Sequence, residues 1–330
     1  MGSGRRCSRL LLGEPCVPAP RREEALEALA AAALHPAGDA LAKYGQWYIV
    51  ADGALHAAPF AALSDAAGEG VVSKHTLHMI SSLRLFDATP SRSPSERGDV
   101  VLVSDPVYDA DDPRLRVAGS GDDGMTKAGR LTSSSRESDA VRSLLDSMKV
   151  HAYAGLAARP SVMRDPQLAE ARIVHFAVHG VFDTRSPALS GLLLSRFDEQ
   201  GKPGNGFVGL RDIYALDWRA DLVVLSGCET GRGRQLDGVG VIGMTNGFLA
   251  AGVAQTVASL WRIPDTATAS FMQHFYAGLE QGNAAEALRF AQLEMQRDRR
   301  WRHPYFWSGF VVHEAGYGGE RNSIFATVAK

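Results

Sequence analysis

Four short apolar runs set the frame of the fold: DVVLVSD (99–105), RIVHFAVHG (172–180), ADLVVLSG (220–227) and GVAQTVASLW (252–261). Each is short for a buried helix and too continuously apolar for a strand with one wet face. Each therefore reads as a strand buried on both sides. KVHAYAG (149–155) and SGLLLS (190–195) add two more strands. Between and after them lie helix-forming stretches: RESDAVRSLLDSM (136–148), PSVMRDPQLAEA (160–171), VIGMTNGFLAAG (241–252), PDTATASFMQHFYAGLEQ (264–281) and NAAEALRFAQLEMQRD (283–298). Strands alternating with helices of this length predict an α/β fold with a mostly parallel sheet covered by helices on both faces. Upstream, REEALEALAAAALH (22–35) reads as a helix of strong helix formers. QWYIVADGALHAAPFAAL (46–63) carries the Asp52-Gly53 turn signal between two apolar runs and predicts an N-terminal β-hairpin part.

The charge balance narrows the function classes. Lys and Arg number 35 against 37 Asp and Glu, and the net charge of −2 gives no general attraction to nucleic acid or to an anionic membrane. Three scattered cysteines, Cys7, Cys16 and Cys228, form neither a disulfide framework nor a zinc-ligand spacing, which suits a reducing, cytoplasmic setting with no metal and no cofactor. No apolar run reaches the roughly 18 residues needed to span a bilayer. Residues 105–135 are long, polar and rich in Gly, Asp and Ser, and read as a flexible loop, either disordered or serving regulation or self-cleavage.

Chemistry concentrates where two of the apolar runs end. LVVLSG stops at Cys228 and RIVHFAVHG stops at His179-Gly180, so adjacent parallel strands would bring a thiol and an imidazole to the same sheet edge. A cysteine nucleophile needs a base and donors for the oxyanion that develops. His179 is the candidate base, and the backbone N–H groups of Gly180 and Cys228 are the candidate donors. Either residue alone has an ordinary structural reading, as a small buried hydrophobe or as a hydrogen-bonded histidine. His175, four residues before His179 on the same expected strand and face, reads as a core histidine because it lies inside the apolar run. A formal GxGxxG at Gly238, Gly240 and Gly243 suggests a dinucleotide loop, with Asp265 downstream. The polar segment CETGRGRQLD separates it from the preceding strand, however, which favours a glycine-lined entry into a closely packed helix.

The chain from Trp47 to about residue 316 resembles the CHAT domain family, caspase-like cysteine peptidases related to separase. The matching pieces are DGALHAAPFAAL, VHFAVHG, LSGCETGRG, GVGVIGMTNGFLAAGVAQTVASLWRIPDTATASFMQHFYAGL, AAEALRFAQ and HPYFWSGFVV. Gly227 stands where the family commonly has alanine. The resemblance implies a caspase-like fold in three parts: an extension with one helix (1–43), an N-terminal half (44–160) and a catalytic half (161–330). It also implies a cysteine endopeptidase with His179 as base and Cys228 as nucleophile, cleaving a protein substrate in a bacterial regulatory or defence pathway under the control of a partner protein. WRIPD places Asp265 where separase-like relatives carry an acid for a basic substrate side chain, and Glu229 is a second candidate for that S1 pocket; Asp265 also fits a helix N-cap. The competing reading is a catalytically silent CHAT-fold interaction module.

Overall fold

A computed structural model describes residues 19–81, 98–115, 129–145, 147–181, 189–227, 239–280 and 282–315. The described strands are β1 (Gln46–Ile49), β2 (Thr76–Ile80), β3 (Val100–Ser104), β4 (Val150–Ala154), β5 (Ile173–Ala177), β6 (His179–Val181), β7 (Gly191–Leu193), β8 (Phe207–Gly209), β9 (Leu222–Leu225), β10 (Gln255–Ser259) and β11 (Phe310–Glu314). The α-helices are α1 (Ala19–Ala33), α2 (Gly38–Leu41), α3 (Val71–Lys74), α4 (Ser134–Leu144), α5 (Pro166–Ala169), α6 (Leu210–Tyr214), α7 (Val239–Ala250), α8 (Asp265–Leu279) and α9 (Ala284–Arg297).

Eight strands form one sheet in the order β1-β2-β11-β10-β9-β5-β3-β4, drawing on both sides of residue 160. All its pairings are parallel except β10 with β11. Alternate residues feed two cores, as the pleat requires. On one face Leu102, Ile173, Leu222, Val224 and Val257 pack with Val141 of α4, Phe271 and Phe275 of α8 and Leu288 of α9. On the other, Val103, Val174, Phe176, Val223 and Leu225 pack with Leu168 of α5, Ile213 of α6, Phe248 of α7 and the loop residue Trp218. Burial on both faces explains why these strands are continuously apolar. Phe271 and Phe310 stack with centroids 3.9 Å apart, and complete burial of each such ring contributes roughly 2–3 kcal/mol. Helix α9 starts in a reciprocal cap: the Asn283 side chain accepts the Glu286 N–H at 2.9 Å, and the Glu286 carboxylate accepts the Asn283 N–H.

Three expectations are corrected. The N-terminal β-hairpin is absent: β1 pairs in parallel with β2, in the register Gln46↔Thr76 to Ile49↔Met79. The Asp52-Gly53 turn does form, with the Asp52 carboxylate accepting the Gly53 N–H at 2.8 Å and Gly53 at φ 53°. It leads, however, into a 3-10 turn over Gly53–Ala57 rather than a returning strand. PSVMRDPQLAEA is not one helix but two one-turn pieces, Pro160–Arg164 and Pro166–Ala169, because a residue before proline is pushed out of helical conformation and Asp165 accordingly sits at ψ 130°. RIVHFAVHG is not one strand. β5 stops at Ala177, and His179 opens β6, which pairs antiparallel with β7 in a second sheet ordered β6-β7-β8.

The polar loop is ordered at both ends. Asp105, Val107, Tyr108 and Leu131 are buried, and Ser133 marks the start of α4. Residues 116–128, the middle of the expected flexible loop, lie outside the described residues. The glycines after the polar segment enter a closely packed helix: α7 begins at Val239, and an added Cβ would meet Leu210 at 3.4 Å on Gly243, and Leu210 at 3.0 Å and Ile213 at 3.1 Å on Gly247. Gly238 lies outside the described residues.

Candidate active site

β5 and β9 are neighbours in the register Ile173↔Leu222 to Phe176↔Leu225. Their ladder runs on past the ends of both strands. Ser226 N–H donates to the Phe176 carbonyl at 3.0 Å, and Gly180 N–H donates to the Gly227 carbonyl at 3.0 Å. Gly227 fits against the break at Val178 so closely that a Cβ there would run into the Val178 carbonyl. The ends of the two apolar runs thus meet at one rim, with His179 on one side and Gly227 on the other. Cys228 and Glu229 lie outside the described residues.

His179 is 4% exposed, although it stands at the sheet edge. Its backbone N–H donates to the Tyr108 hydroxyl at 3.1 Å, and the two rings lie 4.9 Å apart. Its Nε2 lies 2.6 Å from the Gly129 carbonyl. A carbonyl oxygen only accepts, so Nε2 carries the hydrogen and the lone pair of the neutral ring sits on Nδ1. Burial holds the His179 pKa below its usual value; the Gly129 carbonyl and the charge of Asp265 oppose this, and Arg262 adds to it. Burial thus favours the neutral ring, with its tautomer set by a main-chain oxygen.

Asp265 is not the N-cap of its own helix. Pro264 holds that place and Asp265 is the first residue of α8. Its Oδ2 accepts the N–H of Ser133, the N-cap residue of α4, at 3.1 Å. The carboxylate thus lies at two helix N-termini, where negative charge is favoured. Burial raises its pKa, Ser133 N–H lowers it, Glu137 raises it and His179 lowers it. His175 belongs to the core as expected. Its Nε2 lies 2.9 Å from Glu137 Oε1 and its Nδ1 3.0 Å from the Tyr276 hydroxyl. The expected shared strand and face with His179 is corrected by the break at Val178, which puts the two residues in different sheets.

The Gly180 amide, expected to receive an oxyanion, is occupied by the Gly227 carbonyl in this structure. Tyr108 and Gly129 escaped the sequence reading. Tyr108 had a signal in the apolar Val107-Tyr108 pair directly after a strand, whereas a backbone carbonyl such as that of Gly129 has none. Among the described residues no group of three or more His, Cys, Asp or Glu side chains is placed to hold a metal ion, and no helix is long and apolar enough to cross a membrane.

A two-sided, mostly parallel sheet with its candidate chemistry at the carboxyl ends of two inner strands defines an α/β protein. The chain belongs to the CHAT domain family, whose model matches residues 23–315. It is 33% identical over 102 residues to tetratricopeptide repeat protein 28 of Mus musculus, a match covering 31% of this chain and 4% of that protein, so it spans only a small part of that relative. Among solved structures, the Saccharomyces cerevisiae separase-securin complex is similar at a TM-score of 0.48 and 12% identity, covering 81% of this chain and 15% of that one. The Arg-specific cysteine proteinase gingipain R is similar at a TM-score of 0.44 and 9% identity, covering 73% and 54%.

Proposed function

We propose that the chain is a cysteine endopeptidase in which His179 activates Cys228. One observation carries this reading: the hydrogen bond from Gly180 to Gly227 joins the residues covalently next to His179 and Cys228. The thiol passes its proton to the lone pair on His179 Nδ1, and the thiolate attacks the scissile carbonyl carbon. As the tetrahedral intermediate collapses the C–N bond breaks, the amine leaves with the proton from His179, and water then hydrolyses the thioester. Use of the Gly180 N–H as an oxyanion donor requires that its bond to Gly227 open.

Cleavage after a basic residue is part of the same reading. The half-buried carboxylate of Asp265 near His179 supports it, since an acid of this kind would discriminate against a neutral side chain; Glu229, next to the nucleophile in sequence, is a second candidate. The substrate is a protein, and the regulatory or defence setting with a controlling partner comes from the family resemblance. Comparing new protein termini in lysates treated with the active chain and with Cys228→Ala tests the reading. Termini that follow Arg or Lys and depend on Cys228 are expected, and equal cleavage by Cys228→Ala overturns the assignment. A silent interaction module is the second reading, favoured by the occupied Gly180 amide. It predicts no preferential alkylation of Cys228 by iodoacetamide or by an arginyl chloromethyl ketone.

A further inference from the structure

Asp105 directly follows β3 in the left-handed region, at φ 48°, the one described non-glycine residue with positive φ. Its backbone and side chain are held at several points. Its N–H donates to Ser134 Oγ at 3.2 Å and its carbonyl accepts from Arg114 Nη1 at 2.8 Å. Its carboxylate takes a two-pronged contact from Arg130, Nε to Oδ1 at 2.9 Å and Nη2 to Oδ2 at 2.7 Å, with Arg114 Nη1 also 2.9 Å from Oδ2. Arg114 is itself tied to Asp112. Arg130 directly follows Gly129, whose carbonyl meets His179 Nε2. The planar fork of arginine matched to a carboxylate fixes orientation as well as distance. An anchored Asp105 thus fixes Arg130, and Arg130 fixes the carbonyl one residue away.

We infer that Asp105 and Arg130 form a positioning pair that aims the Gly129 carbonyl at His179 and so sets the tautomer and orientation of the imidazole. Neither residue touches the reacting atoms. The catalytic meaning of the pair rests on the peptidase reading, whereas its geometry does not. The pair has no counterpart at His175, which is oriented by side chains.

The test reads the imidazole directly. In 15N-histidine-labelled protein carrying Cys228→Ala, the Nε2–H of His179, assigned with His179→Gln, is expected as a slowly exchanging resonance at neutral pH. Arg130→Gln should raise its exchange with water by about tenfold or more, as loss of a hydrogen bond held by a charged pair implies. Arg130→Lys, which keeps the charge but not the fork, should fall between. Arg300→Gln breaks the similar exposed Arg300–Asp298 contact far from the site in sequence and should change nothing. An Arg130→Gln exchange rate within about twofold of the parent overturns the proposal. Arg130 is the more exposed partner, with its side chain 44% accessible against 9% for Asp105, so its replacement leaves the fold standing; if it does not, the Arg130→Lys comparison decides. In the Cys228 protein, a lower kcat at unchanged KM in Arg130→Gln supports the same role. An exchange effect without any cleavage supports the positioning pair while removing the peptidase reading.

Discussion

The middle of β5 and the rim just beyond it each hold a buried histidine, and burial does not tell them apart: His175 is 0% exposed and His179 is 4%. Their partners do. His175 is enclosed by side chains, with the Tyr276 hydroxyl of α8 on Nδ1 and the Glu137 carboxylate of α4 2.9 Å from Nε2, and so joins two helices to the sheet. His179 leans on main chain and loop, with the Gly129 carbonyl at Nε2 and the Tyr108 hydroxyl at its backbone N–H, beside two glycines. A histidine enclosed by side chains from two helices is a joint. One set by a carbonyl at a strand end keeps a defined tautomer at the rim of the sheet.

The two histidines should differ most when each is cut back to alanine. His179→Ala should reduce Cys228-dependent cleavage by roughly 10²–10⁴-fold, as expected for a lost general base, with urea melts close to the parent. His175→Ala should instead lower stability by about 2–4 kcal/mol, because it empties a fully buried site and takes the partner from the Tyr276 hydroxyl. Melts that rank the two variants the other way would undo the distinction.

His313 of β11 provides a third case, with its Nε2 buried and unpartnered among the described residues. Burial, reinforced by the charge of His56, pushes its pKa from 6.5 down to about 4. Between these values the unfolded chain binds a proton that the folded chain refuses. The contribution is therefore complete above pH 6.5 and is lost on acidification toward pH 4, about 3 kcal/mol in all. Burial likewise depresses His179, so it acts in the same direction below its ordinary pKa. Urea melts from pH 7 to pH 4 should show the slope, and His313→Leu should flatten it; an unchanged slope in His313→Leu would refute the assignment.

Gly227→Ala should cost about 1–3 kcal/mol by overpacking against Val178. It should also release the Gly180 amide, read as faster amide exchange at Gly180; a protected amide in the variant would mean that the rim adjusts without breaking the bond. The smallest effect is expected from Tyr276→Phe. It removes one hydrogen bond from His175, lowers stability by about 1 kcal/mol, and should leave the rate of Cys228 alkylation unchanged.

The long parallel strands were legible because burial on both faces writes itself into the sequence as continuous apolar runs, from Val100–Ser104 to Gln255–Ser259. β2 was not legible, since its TLHMI run is interrupted by His78, which is buried with Glu314 Oε1 2.9 Å from its Nδ1 and its ring stacked on Tyr48. The hairpin was misread because Asp52-Gly53 is a true local turn, while the pairing of β1 is decided by a partner more than twenty residues away. The break at Val178 leaves no trace either, as valine suits both a continuing strand and a kink. At the site, His179, Gly180 and Gly227 converge as the run endings suggested. The loop ends that hold His179 looked flexible because their order comes from ion pairs and carbonyls rather than apolar periodicity.

The position of β11 has a consequence in time. It lies between β2 and β10, so among the described residues β1 and β2 join the sheet only through a strand that begins at Phe310. During synthesis, β1 and β2 emerge early and must wait for nearly the whole domain to follow before their sheet neighbour exists. A nascent chain stalled before Phe310 would expose the partner edge of β2, and the quality-control machinery of the cell would meet the N-terminal strands as an unpaired edge, the form most prone to associate wrongly.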